Sequence, residues 1–225
     1  KVKDETGPIA PWTSLARSKL TVENILKELQ IPHVILRPVT VYGPGDVTGI
    51  MPRLVIGAVY QKLNEEMKFL WSGSLALNTV HVRDVARAIW FVTDHGNNGD
   101  IFNLADSAKT TQQSLNVFIQ EIFHIKTGFV GTALSNLARI NFKDTVEGIN
   151  EKHMEPWGEV TGAAGISRSP LSPFLEPELL LNNDLSVSGA KITSLGFNYE
   201  YPAPTTDLIR ESLNYWVEMH AFPPI

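Results

Sequence analysis

Few groups of residues in this 225-residue chain combine the side chains and the spacing that chemistry needs. The nearest to a phosphate loop is Gly43-Pro44-Gly45-Asp46-Val47-Thr48-Gly49, placed between an apolar run and a helical pattern. Its third glycine falls one residue too far on for a dinucleotide cradle. Pro44 lacks an amide hydrogen, and Asp46 would repel a phosphate, so the segment reads as a tight turn after a strand. The histidines are His33, His81, His95, His124, His153 and His220, and no two stand four residues apart as helical metal ligands do. Glu151, His153, Glu155 and Glu159 could hold a hard metal ion on paper, but their pattern is that of a solvated acidic helix face, and no metal site is expected. No G-x-S-x-G elbow supports a nucleophilic serine. Lys19, in Ala16-Arg17-Ser18-Lys19-Leu20, is by itself a solvated charge on a helix.

Composition narrows the field further. Hydrophobic residues make up 43% and charged residues 19%, enough to build a core. The net charge is −5 and the pI about 5.7, so no basic excess marks a nucleic-acid or anionic-membrane partner. The chain has no cysteine, which excludes disulfides and thiol chemistry within it and fits a reducing, cytoplasmic setting. No apolar run approaches the ~20 residues that span a bilayer.

The elements that must position any site alternate between helix and strand. Thr13 or Ser14 caps a helix to about Gln30, with Leu15, Leu20, Val22, Ile25, Leu26 and Leu29 mostly on one face. His33–Arg37 reads as a buried parallel strand, Met51–Leu63 as a helix, and Met67–Trp71 and Leu77–Val82 as short strands around a Ser72-Gly73-Ser74 turn. Asp84 is expected to cap the next helix, Ile101–Ala105 to be a strand, and Thr110 with Gln113 to box the helix that follows. Leu134–Val160 looks helical but irregular, and the prolines of Ser167–Asn183 suggest a surface excursion. A last amphipathic helix buries Leu208, Ile209, Leu213, Trp216 and Val217. Trp71, Trp90, Trp157 and Trp216 are expected in or near the core. The fold class is α/β with a parallel sheet, residues 1–130 forming its core and 131–225 a cap with the last helix. Only two segments read as central strands, so either further strands escape the pattern or the sheet is completed by chain not present here.

Several segments together resemble the extended short-chain dehydrogenase/reductase family, the NAD(P)-dependent epimerases and dehydratases. Pro11–Lys19 with Glu23 looks like the active-site helix, and Leu36–Gly45 like the R-x-x-x-x-Y-G-P-G segment. Val80–Ala88 looks like the H-V-x-D-V-A step, Ile101–Ala105 with Thr110 like the strand and helix after it, and Ser188–Phe197 like the late K-x-x-x-L-G-F element. The resemblance covers the family's C-terminal two-thirds, without the glycine-rich adenosine-binding half of its Rossmann-type doubly wound sheet. It implies NAD or NADP in the intact parent, with Lys19, Pro38, Thr40 and Tyr42 toward the cofactor and Thr40, Tyr42, Pro52 and Asn78 toward a small-molecule substrate. It also implies a lid from about Leu134 to Leu185 and a homodimer through the helices at 13–30 and 51–63.

The chain departs from that pattern at its centre. In the Y-x-x-x-K motif the tyrosine moves the proton, and the lysine holds the nicotinamide ribose and lowers the tyrosine's pKa. Here Leu15 stands at the tyrosine position. Proton transfer would then need Tyr42, Ser14, a water or a residue from elsewhere. Leu77 replaces an arginine that sugar-nucleotide members often carry for the diphosphate, and Arg37–Asp46 is also similar to the hydroxysteroid-dehydrogenase branch. Two readings follow: an oxidoreductase acting at a hydroxyl-bearing carbon of a sugar-nucleotide or sterol-like substrate, or a catalytically dead relative serving as a cofactor-binding or interaction scaffold. This chain alone is expected to be inactive.

Overall fold

The computed structural model describes residues 2–138 and 141–225. In chain order it contains α1 (Ser14–Glu28), β1 (Ile35–Pro38), β2 (Thr40–Tyr42), α2 (Met51–Leu63), β3 (Met67–Phe69) and β4 (Thr79–His81). These are followed by α3 (Val82–His95), β5 (Ile101–Leu104), α4 (Gln112–Phe123), β6 (Thr127–Phe129), α5 (Thr132–Ala138), α6 (Phe142–Ala163), α7 (Ala190–Ser194) and α8 (Thr206–Glu218).

All the strand pairs are parallel: β1 with β5, β2 with β4, and β3 with β6. The two expected central strands do pair, Ile35 opposite Ile101 and Pro38 opposite Leu104. β1 and β2 are one extended stretch that changes partner after Pro38. That proline has no N–H to offer a ladder; the next two amides, of Val39 and Thr40, reach Leu104 and Asn78 respectively. The segments on either side of Ser72-Gly73-Ser74 do not pair with each other. Parallel partners far along the chain claim both of them instead.

α2 is the centre of the larger core. Met51, Leu54, Val55, Ala58 and Val59 are buried among α4, α6 and α8, together with Ile119, Phe123, Trp157, Ile209 and Phe222. This core therefore crosses the expected boundary at residue 130. A smaller core of Val80, Ala88, Phe102, Leu104, Ile192 and Phe197 fills the space between β4, β5, α3 and α7.

Caps fall close to their expected places. The box at α4 is made by Thr111 and Ser114, one residue later than expected. Thr110 is buried instead, bonded side chain to side chain with Thr79 at 2.9 Å. His81, not Asp84, caps α3, and Asp84 turns inward. Trp90 is a clear departure: at 77% exposure it lies on the surface. α1 departs as an element. It forms as expected, yet none of its residues is buried, and Leu15, Val22, Ile25 and Leu29 are exposed. The expected helix at Leu134–Val160 is present as α5 and α6; Lys1, Arg139 and Ile140 lie outside the described residues.

Candidate active site

α1 carries the two motif positions on its first turns, and both face solvent. Leu15 is 65% exposed. Lys19, one turn later, is exposed and belongs to no ion pair among the described residues. Two polar ties hold the helix in place. Thr13 accepts from the Ala16 amide, and the Glu178 carboxylate accepts from the Ser14 amide at 3.0 Å, an anion where a helix start favours one. Farther along, Arg37 of β1 donates to Glu23 through Nε at 2.8 Å and Nη2 at 2.5 Å, a two-point clamp that is largely enclosed. Ser14 also donates its hydroxyl to Glu178 and accepts from Arg17, so it is committed to this anchor.

The structure separates the residues that the resemblance assigns to the ligand side. Pro38 is exposed, and Thr40 and Pro52 are half-buried. Tyr42 has no exposed surface; its ring meets His81 edge-on at 5.0 Å, and its hydroxyl has no hydrogen-bond partner among the described residues. Burial and the nearby Asp106 and Asp84 push that hydroxyl far above a phenol's ordinary range. Tyr42, expected to line the cofactor and substrate or to take the proton that Leu15 does not, is thus enclosed here with its own proton held firmly. Asn78 is buried too, and its Oδ1 accepts from the Val187 amide at 2.7 Å, so it fastens the 185–187 segment beside β4.

A set of buried polar residues takes parts that the sequence did not assign to them. Asp84 accepts from the amides of Glu200 and Tyr201 at 3.0 and 2.9 Å and from Arg87 at 2.6 Å, which ties the approach to α8 onto α3. Asp106 accepts from the Thr79 hydroxyl at 2.7 Å and the Ala108 amide at 3.0 Å. Thr79 has one proton to give, so Thr110 must be the donor in the Thr79–Thr110 bond. Burial pushes the Asp106 carboxyl up to about 6. The signal available in sequence was polarity in or beside apolar strands, which spacing alone does not assign to a role.

The Gly43–Gly49 loop is settled by geometry. Asp46 turns its carboxylate onto the amides of Gly49, Ile50 and Met51 at 2.6, 2.7 and 2.9 Å. The start of α2 therefore already holds its own anion, and no phosphate can take that place. Among the described residues no cluster of acids and histidines could hold a metal ion. His153 is buried against Tyr60, away from the exposed Glu151, Glu155 and Glu159. An open hollow of about 600 Å³ lies between Pro44 and α8, lined by Arg83, Asp207, Arg210 and Glu211. Arg83 and Glu211 pair with each other there, and Arg210 donates to the Glu121 carbonyl at 3.3 Å.

Comparison with known proteins places this arrangement. Residues 1–105 match the model of the NAD dependent epimerase/dehydratase family. No curated protein matches the chain in sequence. Among solved structures, the chain is similar to the UDP-N-acetylglucosamine 4-epimerase of Methanobrevibacter ruminantium at 14% identity and TM-score 0.59, over 96% of this chain and 57% of that one. It is similar to the UDP-glucose 4-epimerase of Thermus thermophilus, solved with NAD, at 15% and 0.56, over 96% and 58%. The dTDP-glucose 4,6-dehydratase of Streptomyces venezuelae, also solved with NAD, matches at 16% and 0.59, over 97% and 55%. The resemblance to the extended short-chain dehydrogenases is thus present in sequence over residues 1–105 and in α/β fold over nearly the whole chain. The chain spans under three-fifths of the length of each of these structures.

No helix among the described residues is long and apolar enough to cross a membrane.

Proposed function

We propose that this chain supplies the substrate side of an NAD(P)-dependent epimerase, dehydratase or hydroxyl dehydrogenase acting at a hydroxyl-bearing carbon. The observation that carries the reading is the family match over residues 1–105, which spans α1, both stretches of the strand at 35–42, and the His81 step. Lys19 is exposed on α1 and free to donate to ribose hydroxyls, so it fits one end of a nicotinamide cofactor. The other end finds no fit among the described residues, because Asp46 occupies the one loop that stands before a helix as a phosphate cradle would. Leu15 moves no proton, Tyr42 is sealed and Ser14 is bound to Glu178, so an active form needs a proton carrier from water or from another segment.

A second reading, a cofactor-binding or interaction scaffold, is favoured by Leu15 itself: an exposed leucine where the motif needs a phenol. The same apolar face of α1 supports a homodimer through that helix. α2, the other half of the expected interface, turns its apolar residues inward among α4, α6 and α8. A cytoplasmic setting is part of either reading.

NAD(H) and NADP(H) binding by the full-length gene product, with turnover measured beside a Leu15→Tyr variant, separates the two. Saturable binding with turnover in the wild type overturns the scaffold reading. No binding by either form overturns the oxidoreductase reading.

A further inference from the structure

Lys19 sits between two polar ties that fix the line of α1. One turn after it, Glu23 takes the guanidinium of Arg37 from β1. Just over one turn before it, Ser14 is held by Glu178, which lies 164 residues farther along the chain. Both Glu178 carboxylate oxygens accept from the Ser14 amide, at 3.0 and 3.1 Å, and Oε2 also accepts from the Ser14 hydroxyl at 3.1 Å. Arg17 stands 3.9 Å from the same carboxylate and donates to the Ser14 hydroxyl oxygen at 3.0 Å, so opposite charges close around the helix start. None of the residues of α1 is buried or belongs to either core, which leaves the direction of the helix to these ties.

Glu178 stands on a strap that is itself fastened on both sides of it. It lies in a 3₁₀ turn, Pro177–Leu180, opened by a proline and closed by the Leu179 amide on the Glu176 carbonyl at 3.0 Å. Before the turn, buried Asn150 of α6 takes both backbone groups of Leu175: its Nδ2 donates to the carbonyl at 3.0 Å, and its Oδ1 accepts from the amide at 2.7 Å. At the end of the turn, the Trp71 indole donates to the Leu180 carbonyl at 2.8 Å. Trp71 is buried, and its φ of 68° lies in the left-handed region, which a bulky residue keeps only when its surroundings hold it there. They do: the buried Ser135 hydroxyl of α5 accepts from its amide at 2.8 Å, and the Gly131 amide donates to its carbonyl at 3.0 Å. The strap is thus bolted to α6 and to the junction of β3 with α5, and between the two bolts Glu178 reaches α1.

We infer that Glu178 is the positioning residue for Lys19: the strap Leu175–Leu180 carries the seating of the cap to the first turns of α1, so that a ligand which moves the cap moves the lysine. The inference deepens the proposed function by linking its substrate side to its cofactor side, and it rests on that reading only for what Lys19 holds. Glu178 acts through the Ser14 amide and hydroxyl. A carboxylate that grips both groups of one residue resists rotation of the first turn as well as its displacement. Leu15, next to Ser14, is carried with it.

The chain has no cysteine, so a pair can be introduced and nitroxide-labelled without competition. Lys19→Cys on α1 and Glu155→Cys on α6, both at exposed positions, make the pair, and double electron–electron resonance reads the distance between them in labelled chain diluted with unlabelled chain. The doubly labelled chain should give one narrow distribution. Glu178→Ala should shift its mean by about 3 Å, two residues of helical rise, or widen it about twofold. Trp71→Phe, which removes the indole donor without touching α1, should act in the same way by less. Glu176→Ala, on the same strap but in no ion pair among the described residues, should leave the distribution as it was. Circular dichroism melts check that each variant is folded, since lost stability alone does not move a distance inside the folded molecule. An unchanged distribution in Glu178→Ala, or in folded Trp71→Phe, overturns the assignment, and so does an equal change in Glu176→Ala. If Trp71→Phe does not fold, Glu178→Ala decides alone. No cofactor enters the measurement, so its failure leaves the NAD(P) reading standing, and an absence of NAD(P) binding leaves the strap.

Discussion

At the scale of single residues, buried side chains here do structural work that their types alone would assign to chemistry. Tyr42, His81 and Asn78 are polar and sit in family-like motifs, yet burial spends them on packing or on one backbone amide. Asp106 gives a test of how burial sets charge. Its folded carboxyl is raised to about 6 by desolvation, above the ordinary carboxylate value, so the folded chain keeps a proton that the unfolded chain has released. The stability this contributes is complete below about pH 4 and is lost as pH rises toward 6. Asp106→Asn keeps an acceptor for Thr79 and Ala108 without the charge. Relative to that variant, the wild type should lose roughly 1–3 kcal/mol between about pH 4 and pH 7. Thermal melts of both proteins across this range measure it, and parallel curves would contradict the assignment.

At the scale of elements, the helices were legible and the sheet less so. Apolar residues three and four apart marked α8 because it has one buried side, and that pattern is local. β3 and β4 could be seen as strands but not paired, since Met67 and Thr79 find their partners at Thr127 and Thr40. α1 shows the opposite failure: its periodicity was correct and its burial was not, because nothing among the described residues covers that face. Packing at this scale leads to two predictions. Gly57→Ala would place a Cβ 2.7 Å from two ring atoms of Phe123, forcing α2 and α4 apart at a cost of ~1–3 kcal/mol, read from urea unfolding. For α1, a 15-residue helix with no buried residue is marginal in water. Its amides from Val22 to Glu28 should exchange with solvent deuterium far faster than those of α4, and equal protection would show that α1 is covered in solution.

At the scale of the molecule, apolar surface is left open in several places. The row on α1 is one part of it; a groove of about 450 Å³ lined by Val34, Leu36, Ile89 and Val92, with Trp90 exposed nearby, is another. Contiguous apolar surface of this kind draws proteins together. The chain should therefore show concentration-dependent association in sedimentation, and Val22→Lys with Ile25→Lys should reduce it if α1 is the contact; an unchanged profile would move the contact to the groove. The strand pairing has a consequence of another kind, in time rather than space. Ile35 waits for Ile101, Thr40 for Thr79 and Met67 for Thr127 before a single ladder bond can close. Every such closure costs loop entropy before it returns any contact energy. During synthesis β1, β2 and α2 leave the ribosome before β5 and β4, the strands that pair with β1 and β2. The helices must hold the chain open for the sheet, and refolding should be slow even where the final structure is secure.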